Sequence, residues 1–128
     1  MAVMEAIKTI RCPSVQAYIE ITSIPQTYEH LTLSWSLQGE TNTNRTGLYL
    51  IVNSTTSSTY NYQRMQIYGT NMQGQAWTGT TSGMDGTMGT AAGIASNNPP
   101  KSVYGCGTVN IYDYTNSNKA TTAMFQAW

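Results

Sequence analysis

The stretch Leu31-Thr32-Leu33-Ser34-Trp35-Ser36-Leu37 has the most regular pattern in the chain. Apolar side chains occupy every second position, and hydroxyl side chains occupy the positions between them. A repeat of two residues places the apolar set on one face of a β-strand, whereas a helix would distribute it over several faces. The stretch therefore predicts a half-buried antiparallel strand with an apolar inner face and a hydroxyl-rich outer face.

Other segments carry strand signals of different strength. Residues 17–21 and 103–112 alternate, residues 60–68 alternate more loosely, and residues 121–128 form the last segment. Residues 48–52 are apolar on both sides, which predicts a central strand covered on both faces. Short strands separated by Gly- and Asn-rich turns predict an all-β fold, an antiparallel β-sandwich of jelly-roll type.

Polar segments separate these strands. Residues 38–47 are typical of a hairpin loop, and residues 53–59 form a second polar loop. Residues 69–100 hold seven of the eleven glycines. A structureless loop of that length is uncommon in a compact domain. Two interpretations stay open: short strands at Trp77-Thr78 and at residues 87–95, or a Gly-rich arm that becomes ordered against a neighbouring subunit.

The length of 128 residues is that of one domain, spanning residues 1–128. Residues 1–14 are interpreted as an N-terminal arm or an edge strand. No apolar run is long enough to cross a membrane as a helix. Glu5 stands early in an N-terminus that lacks the apolar stretch of a signal peptide, so we expect synthesis without export.

Charge is scarce. Only 9% of the residues are charged, against about 25% in an ordinary domain, and the net charge is zero. The six basic residues are scattered along the chain and form no basic stripe, which argues against binding of nucleic acid. A net charge near zero favours association with other molecules. Composition therefore predicts a protein that functions in an assembly.

The residues that carry chemistry do not form a recognisable catalytic or metal pattern. Cys12, His30 and Cys106 are too few and too far apart for a structural metal site. A triad of His30 with Asp113 or Asp85 and a serine lacks a nucleophile elbow. We interpret His30 as a partly exposed residue at the start of a strand, and we expect a protein without catalysis.

The other residues that could carry chemistry also form no recognisable site. No spacing singles out an acid and nucleophile pair for glycoside hydrolysis among Glu20, Glu29, Glu40, Asp85 and Asp113. No phosphate-binding loop is present, and no cofactor is expected. In a reducing cytosol Cys12 and Cys106 are expected to be free, with a long-range disulfide as the alternative. Gly105 and Gly107 flank Cys106 and predict a bulge or a close backbone approach.

The tyrosines allow two interpretations. Amphipathic rings on strands can stack on sugars, as in lectin sites, and they can equally form core and subunit contacts. Alternation along a strand favours packing. The tyrosines concerned are Tyr49, Tyr60, Tyr62, Tyr68, Tyr112 and Tyr114.

Two motifs resemble those of small virion structural proteins of tailed bacteriophages, including cyanophages. The first is Ser23-Ile24-Pro25-Gln26-Thr27-Tyr28-Glu29-His30-Leu31-Thr32-Leu33, and the second is Asn110-Ile111-Tyr112-Asp113-Tyr114-Thr115-Asn116-Ser117-Asn118-Lys119. Between them, Ile67-Tyr68-Gly69 matches a tripeptide of the same family. The resemblance extends over roughly residues 5–122.

This resemblance implies a β-sandwich-like structural protein, located in the virion and assembled in the host cytoplasm. It supplies no catalytic residues. The function it implies is capsid decoration or cementing, with a tail-fibre or adhesin domain that binds host glycans as the alternative. Within the motifs Pro25, Tyr28, Asp113, Tyr114 and Asn116 are expected to shape turns, because Pro fixes φ and Asx side chains bind nearby backbone.

The family usually continues for several strands beyond the second motif, whereas this chain stops at Trp128. A shortened sandwich would leave an apolar face and an unpaired edge. We therefore expect neighbouring subunits to cover it, through Met124, Phe125, Trp128 and Trp77. The expected partners are the major capsid protein or tail proteins and further copies of this chain, with a trimer favoured; neither nucleic acid nor membrane is expected.

Overall fold

Among the residues that the computed structural model describes, all regular secondary structure is β-strand and all strand pairing is antiparallel, as the sequence predicts. The structure describes residues 4–37, 45–55, 57, 59–68, 70–80, 84–89 and 104–127. Within these ranges the strands are β1 (Leu31–Leu37), β2 (Arg45–Leu50), β3 (Tyr60–Tyr68), β4 (Asn71–Thr80), β5 (Met84–Gly89), β6 (Gly105–Tyr112) and β7 (Thr122–Ala127). No helix among the described residues is long and apolar enough to span a membrane.

The described strands form three sheets. The main sheet has the order β1-β6-β7, β2 pairs with β5, and β3 pairs with β4. Strand β5 lies against β6 and β7 of the main sheet and also against β3. Because it contacts all three sheets, β5 is the element through which they meet.

The inner face of the main sheet holds the small core. Alternating burial along β1 follows the predicted pattern, with Leu33 on the inner side. Val109, the most buried side chain at 1% exposure, stands opposite Leu33 on one side and Phe125 on the other. Phe125 meets Trp35 edge to face, with ring centroids 6.3 Å apart. Three strands therefore contribute to one apolar cluster, which stabilises their register.

Gly107 is the point of closest approach within this sheet. It lies opposite Trp35 on β1 and Ala127 on β7, and its own pairings are unbroken. An added Cβ would lie against the Trp35 indole and 2.5 Å from the carbonyl oxygen of Gln126. The predicted close backbone approach is thus confirmed, and no bulge interrupts the sheet at this position.

Tyr60 organises the polar loop that precedes β3. Its side chain is only 9% exposed. Its hydroxyl accepts a hydrogen bond from the Val52 amide at 3.0 Å and donates to the Thr55 carbonyl at 2.9 Å. The Thr55 amide in turn donates to the Val52 carbonyl at 3.0 Å. The backbone of this loop is therefore held by a buried phenol.

Three expectations about strands were wrong. Residues 17–21 form no strand, and Tyr18 is 77% exposed, because no described segment pairs with them. Strand β2 ends at Leu50 and is not covered on both faces, since Tyr49 is 50% exposed. The hairpin loop expected at residues 38–47 would join two paired strands, whereas the described strand β1 pairs with β6 and β2 pairs with β5. Residues 45–47 belong to β2, and 38–44 lie outside the described residues.

The Gly-rich segment contains two strands. Strand β4 includes the predicted site at Trp77-Thr78, and β5 includes residues 87–89 of the second predicted strand. The rest of that second strand, residues 90–95, lies outside the described part, as do residues 69, 81–83 and 96–100. Residues 4–14 form no strand, which favours the interpretation of the N-terminus as an arm.

Replacing Gly107 tests the close approach. We expect Gly107→Ala to lower the free energy of unfolding by about 1–3 kcal/mol, because the methyl group would overpack against the indole and the β7 backbone. Gly74→Ala is the matched control, since an added Cβ there has nothing within 4 Å and Ala is favoured over Gly in a strand by about 0.5–1 kcal/mol. Denaturant titration measures both, and equal stability of the two variants would contradict the packing argument.

Candidate functional site

The two sequence motifs meet at one end of the main sheet. Pairing of β1 with β6 places Leu31 opposite Ile111, so the residues just before β1 lie beside those just after β6. On the outer face the Thr32 hydroxyl donates to Oδ1 of Asn110 at 2.8 Å. We call this region, residues 25–30 together with 112–119, the motif junction.

His30 lies at the centre of the motif junction. Its Nδ1 accepts a hydrogen bond from the Asp113 backbone amide at 3.1 Å, and its ring meets Tyr112 edge to face at 5.4 Å. Accepting at Nδ1 means that the neutral ring carries its proton on Nε2. The side chain is 51% exposed, as expected for a residue at the start of a strand.

Asp113 turns the chain at the end of β6. Its φ is 48°, a left-handed conformation that Asp tolerates better than most residues. Its carbonyl accepts from the Asn116 amide at 3.0 Å, and Oδ1 of Asn116 accepts from the Asn118 amide at 3.0 Å. Asn116 therefore shapes the turn through nearby backbone, as predicted, whereas the Asp113 carboxylate pairs with Lys119.

The Asp113 carboxylate is held in its charged form. A hydrogen bond from the Lys119 ammonium lowers the pKa of Asp113 below its ordinary value, and the charges of Lys119 and His30 act in the same direction. Oδ1 of Asp113 lies 3.6 Å from Nδ1 of His30. The carboxylate is thus oriented by the Lys119 ammonium.

Two tyrosine hydroxyls attach the N-terminal segment to the sheet. Tyr114 donates to the carbonyl of Pro25, and Tyr28 donates to the carboxylate of Glu5. The bond to Glu5 raises the pKa of Tyr28, because it favours the protonated phenol. Both motif tyrosines therefore connect segments that lie far apart in sequence.

Charged groups concentrate at this place. Glu5, Glu29 and Asp113 are three of the six acidic residues, and His30 is the single histidine of the chain. One ligand atom each from Glu29, His30 and Asp113 lies within 4.8 Å of the others. The carboxylates, however, approach opposite ring nitrogens, with Glu29 3.9 Å from Nε2 and Asp113 3.6 Å from Nδ1.

This arrangement serves hydrogen bonding better than metal binding or catalysis. A metal ion uses the lone pair of a single ring nitrogen, and here the Nδ1 lone pair already accepts the Asp113 amide. Among the described residues, the hydrogen bonds and ion pairs of His30 include no hydroxyl or thiol. Cys12 and Cys106 are not joined by a disulfide, and Cys12 is exposed. The contacts of His30, Asp113, Tyr28 and Tyr114 connect the two motifs with each other and with the N-terminal segment.

The predicted contact residues lie elsewhere. Met124 is 56% exposed on the outer face of β7, whereas Phe125 points inward to Trp35. Trp77 stacks on Tyr62 with ring centroids 4.8 Å apart, and the Arg64 guanidinium lies 5.0 Å from its ring centre. Trp128 lies outside the described residues.

Sequence reasoning missed a surface on β3 and β4. Met65, Ile67 and Met72 are 77%, 79% and 68% exposed. Their register places them on one face, with Met65 opposite Gly74 and Ile67 opposite Met72. The signal was present in the sequence, because Met65 and Ile67 alternate with Arg64 and Gln66, but the alternation did not indicate which face would be covered.

Removing the Tyr114 hydroxyl tests whether the two motifs stabilise each other. We expect Tyr114→Phe to lower the free energy of unfolding by about 1 kcal/mol, because the Pro25 carbonyl loses its donor. Tyr18→Phe is the control, since that side chain is 77% exposed in the N-terminal segment. Thermal unfolding of both variants measures the difference, and an equal effect of the two would show that the bond contributes nothing.

The contact between Asp113 and Lys119 makes the stability of the fold depend on pH. A folded-state pKa below the ordinary value of 3.8 means that Asp113 contributes stability above that pH, and the contribution disappears as pH falls through the folded value. We expect Asp113→Asn to flatten the loss of stability measured by urea titration between about pH 6 and about pH 2. Lys119→Met should flatten it in the same way, and an unchanged profile in both variants would contradict the assignment.

Comparison with known proteins gives no relative: no protein-family model, no curated protein and no solved structure matches this chain. The two sequence motifs form the junction between β1 and β6.

Proposed function

We propose that this chain is a non-enzymatic structural protein of a tailed-phage virion that decorates or cements the capsid by binding neighbouring subunits. Its partners are the major capsid protein or tail proteins and further copies of itself, with a trimer favoured. It takes its place in the virion during assembly in the host cytoplasm. The phage origin is carried by the resemblance of the motifs at residues 23–33 and 110–119.

One observation carries the assembly role. Tyr60 and Val109 are the buried hydrophobic residues of the described chain, whereas large apolar side chains along the N-terminal segment and on β3 and β4 are exposed. Met4, at 89%, and Tyr18, at 77%, are examples from the first region. An independent domain of this size buries about two thirds of its surface, and contiguous apolar exposure marks interaction sites. Coverage of these side chains by neighbouring subunits explains both the small number of buried residues and the exposed apolar surface.

The chemistry of the motif junction supports a role without catalysis. His30 accepts a backbone amide, Asp113 pairs with Lys119, and both motif tyrosines donate to groups of the N-terminal segment. Each candidate group is thus engaged in holding the chain together. Catalytic sites instead keep an oriented base or nucleophile available to a substrate.

The architecture that fits this role is a β-sandwich of jelly-roll type. The contacts of β5 with the main sheet and with β3 support a layered arrangement of antiparallel strands. Closing the strands into two packed sheets protects their edges, which is how jelly rolls avoid uncontrolled pairing. Such a domain forms a compact knob on a shell, and the described strands include no repeated stem of the kind a long fibre needs.

The glycan-binding alternative receives less support from the aromatic residues. The ring of Trp77 is half-buried and engaged by both Tyr62 and Arg64. A sugar platform requires an aromatic face open to the ligand. The capsid role is therefore the one we propose.

Abundance in the particle tests the proposal. In purified virions of the phage that encodes this chain, we expect a copy number comparable to that of the major capsid protein, measured by quantitative mass spectrometry. A decoration protein occupies the repeating shell, so that ratio follows from geometry. A copy number comparable to that of tail-fibre proteins would move the chain to the tail, and absence from the particle would refute the virion role.

A further inference from the structure

The β3–β4 hairpin exposes apolar side chains on one of its two faces. On β3 the even positions Tyr62, Arg64 and Gln66 are half-buried, whereas the odd positions Gln63, Met65 and Ile67 are exposed. The face of the even positions is bonded within the hairpin, with Arg64 donating to the exposed Gln75 at 2.8 Å and Gln66 donating to the exposed Gln73 at 2.9 Å. In a sheet with one face to water the apolar set is normally the buried one, whereas on β3 Met65 and Ile67 belong to the exposed set.

The exposed side, which we call the hairpin face, is uncharged and graded in size. It consists of Gln63, Met65, Ile67, Met72, Gly74 and Ala76, all of them exposed. The register gives three rows, which run from the turn toward the base of the hairpin: Ile67 with Met72, Met65 with Gly74, and Gln63 with Ala76. Bulky side chains therefore occupy the end near the turn, and small or polar ones occupy the base.

We infer that the hairpin face docks against the same face of a second copy of this chain, related by a two-fold axis that crosses the strands. Such an axis lays the bulky end of each hairpin over the small end of the other, which places Met72 over Ala76 of the partner copy. The same axis lays Gly74 over its own equivalent, where neither copy has a side chain and nothing lies within 4 Å of a Cβ built on one copy, so the two strands can approach closely at that point. One surface that carries both the projections and the recess is what an isologous contact requires.

Charge is consistent with this occupant. The hairpin face has no charged residue, and the chain has a net charge of zero, so two copies meet without repulsion or desolvated charge. A two-stranded hairpin by itself has marginal stability, and β3 and β4 contact the rest of the described structure mainly through β5. Face-to-face packing supplies the second layer that the hairpin lacks.

This inference specifies the self-association within the proposed function, and it rests on that function only for the identity of the assembly. It concerns the isolated protein, so its failure is distinguishable from a failure of the virion role, which is measured on particles. The two-fold contact involves a surface other than Met124 and Phe125 on β7. It is compatible with further contacts elsewhere, including a trimer.

Sedimentation of purified full-length variants tests the contact. We expect Met72→Lys to weaken self-association by at least about tenfold, because it places a charge within an apolar contact. Asn71→Lys is the matched control, since Asn71 is also exposed on β4 but on the face opposite to that of Met72, and it should associate like the unmodified chain. Circular dichroism checks that both variants keep their strands.

A mixing experiment tests the orientation. Ala76→Glu alone should also weaken association, whereas a mixture of Met72→Lys chains with Ala76→Glu chains should restore pairing, because the new charges face each other only between copies. Residues 72 and 76 lie on the same strand four positions apart, about 13 Å in an extended chain, so rescue within one chain is excluded. An unmodified chain that stays monomeric, an effect of Asn71→Lys as large as that of Met72→Lys, or no rescue on mixing would overturn the inference.

Discussion

The pairing of β1 with β6 is the interaction on which the described structure depends. Seven positions, from Leu31 opposite Ile111 to Leu37 opposite Gly105, join segments separated by most of the chain. Joining segments so distant has an entropic cost that grows slowly with the length of the loop, and many simultaneous contacts offset it. The same pairing makes β6 the central strand, which allows β7 to add on its far side.

The motif junction follows from this register. Because Leu31 faces Ile111, His30 and Asp113 become neighbours, and a hydrogen bond between ring and backbone forms without any local sequence motif. Tyr114 then reaches the Pro25 carbonyl. Pro25, Tyr28, Asp113, Tyr114 and Asn116 could be selected from the sequence as turn-forming residues of two motifs. The contact between the two turns could not be predicted from the sequence, because no residue pattern at a fixed spacing indicates which strands pair with each other.

The alternation of apolar and polar residues predicted strands well where it was strict. It predicted them poorly where a strand depends on a pairing partner elsewhere in the chain. Strand β1 has the bounds its alternation indicates, and β4 and β5 occur within the segment where short strands were one of two interpretations. Residues 17–21 alternate too, yet they form no strand, because a strand exists only with a partner for its backbone. Apolar residues on both sides of residues 48–52 indicated burial but not whether the cover lies within the chain.

The scarcity of charge in the chain and the exposure of the hairpin face have a common consequence. Charge normally keeps exposed apolar surface from associating, and four of the twelve charged residues of the chain, Glu5, Glu29, Asp113 and Lys119, lie in or against the motif junction. The hairpin face of β3 and β4 has only amide and apolar side chains. Met65, Ile67 and Met72 are therefore exposed on a face that carries no charged side chain. Contiguous apolar exposure of this kind marks interaction sites, and the absence of charge on the hairpin face is what makes a second copy of the same face the occupant that we infer for it.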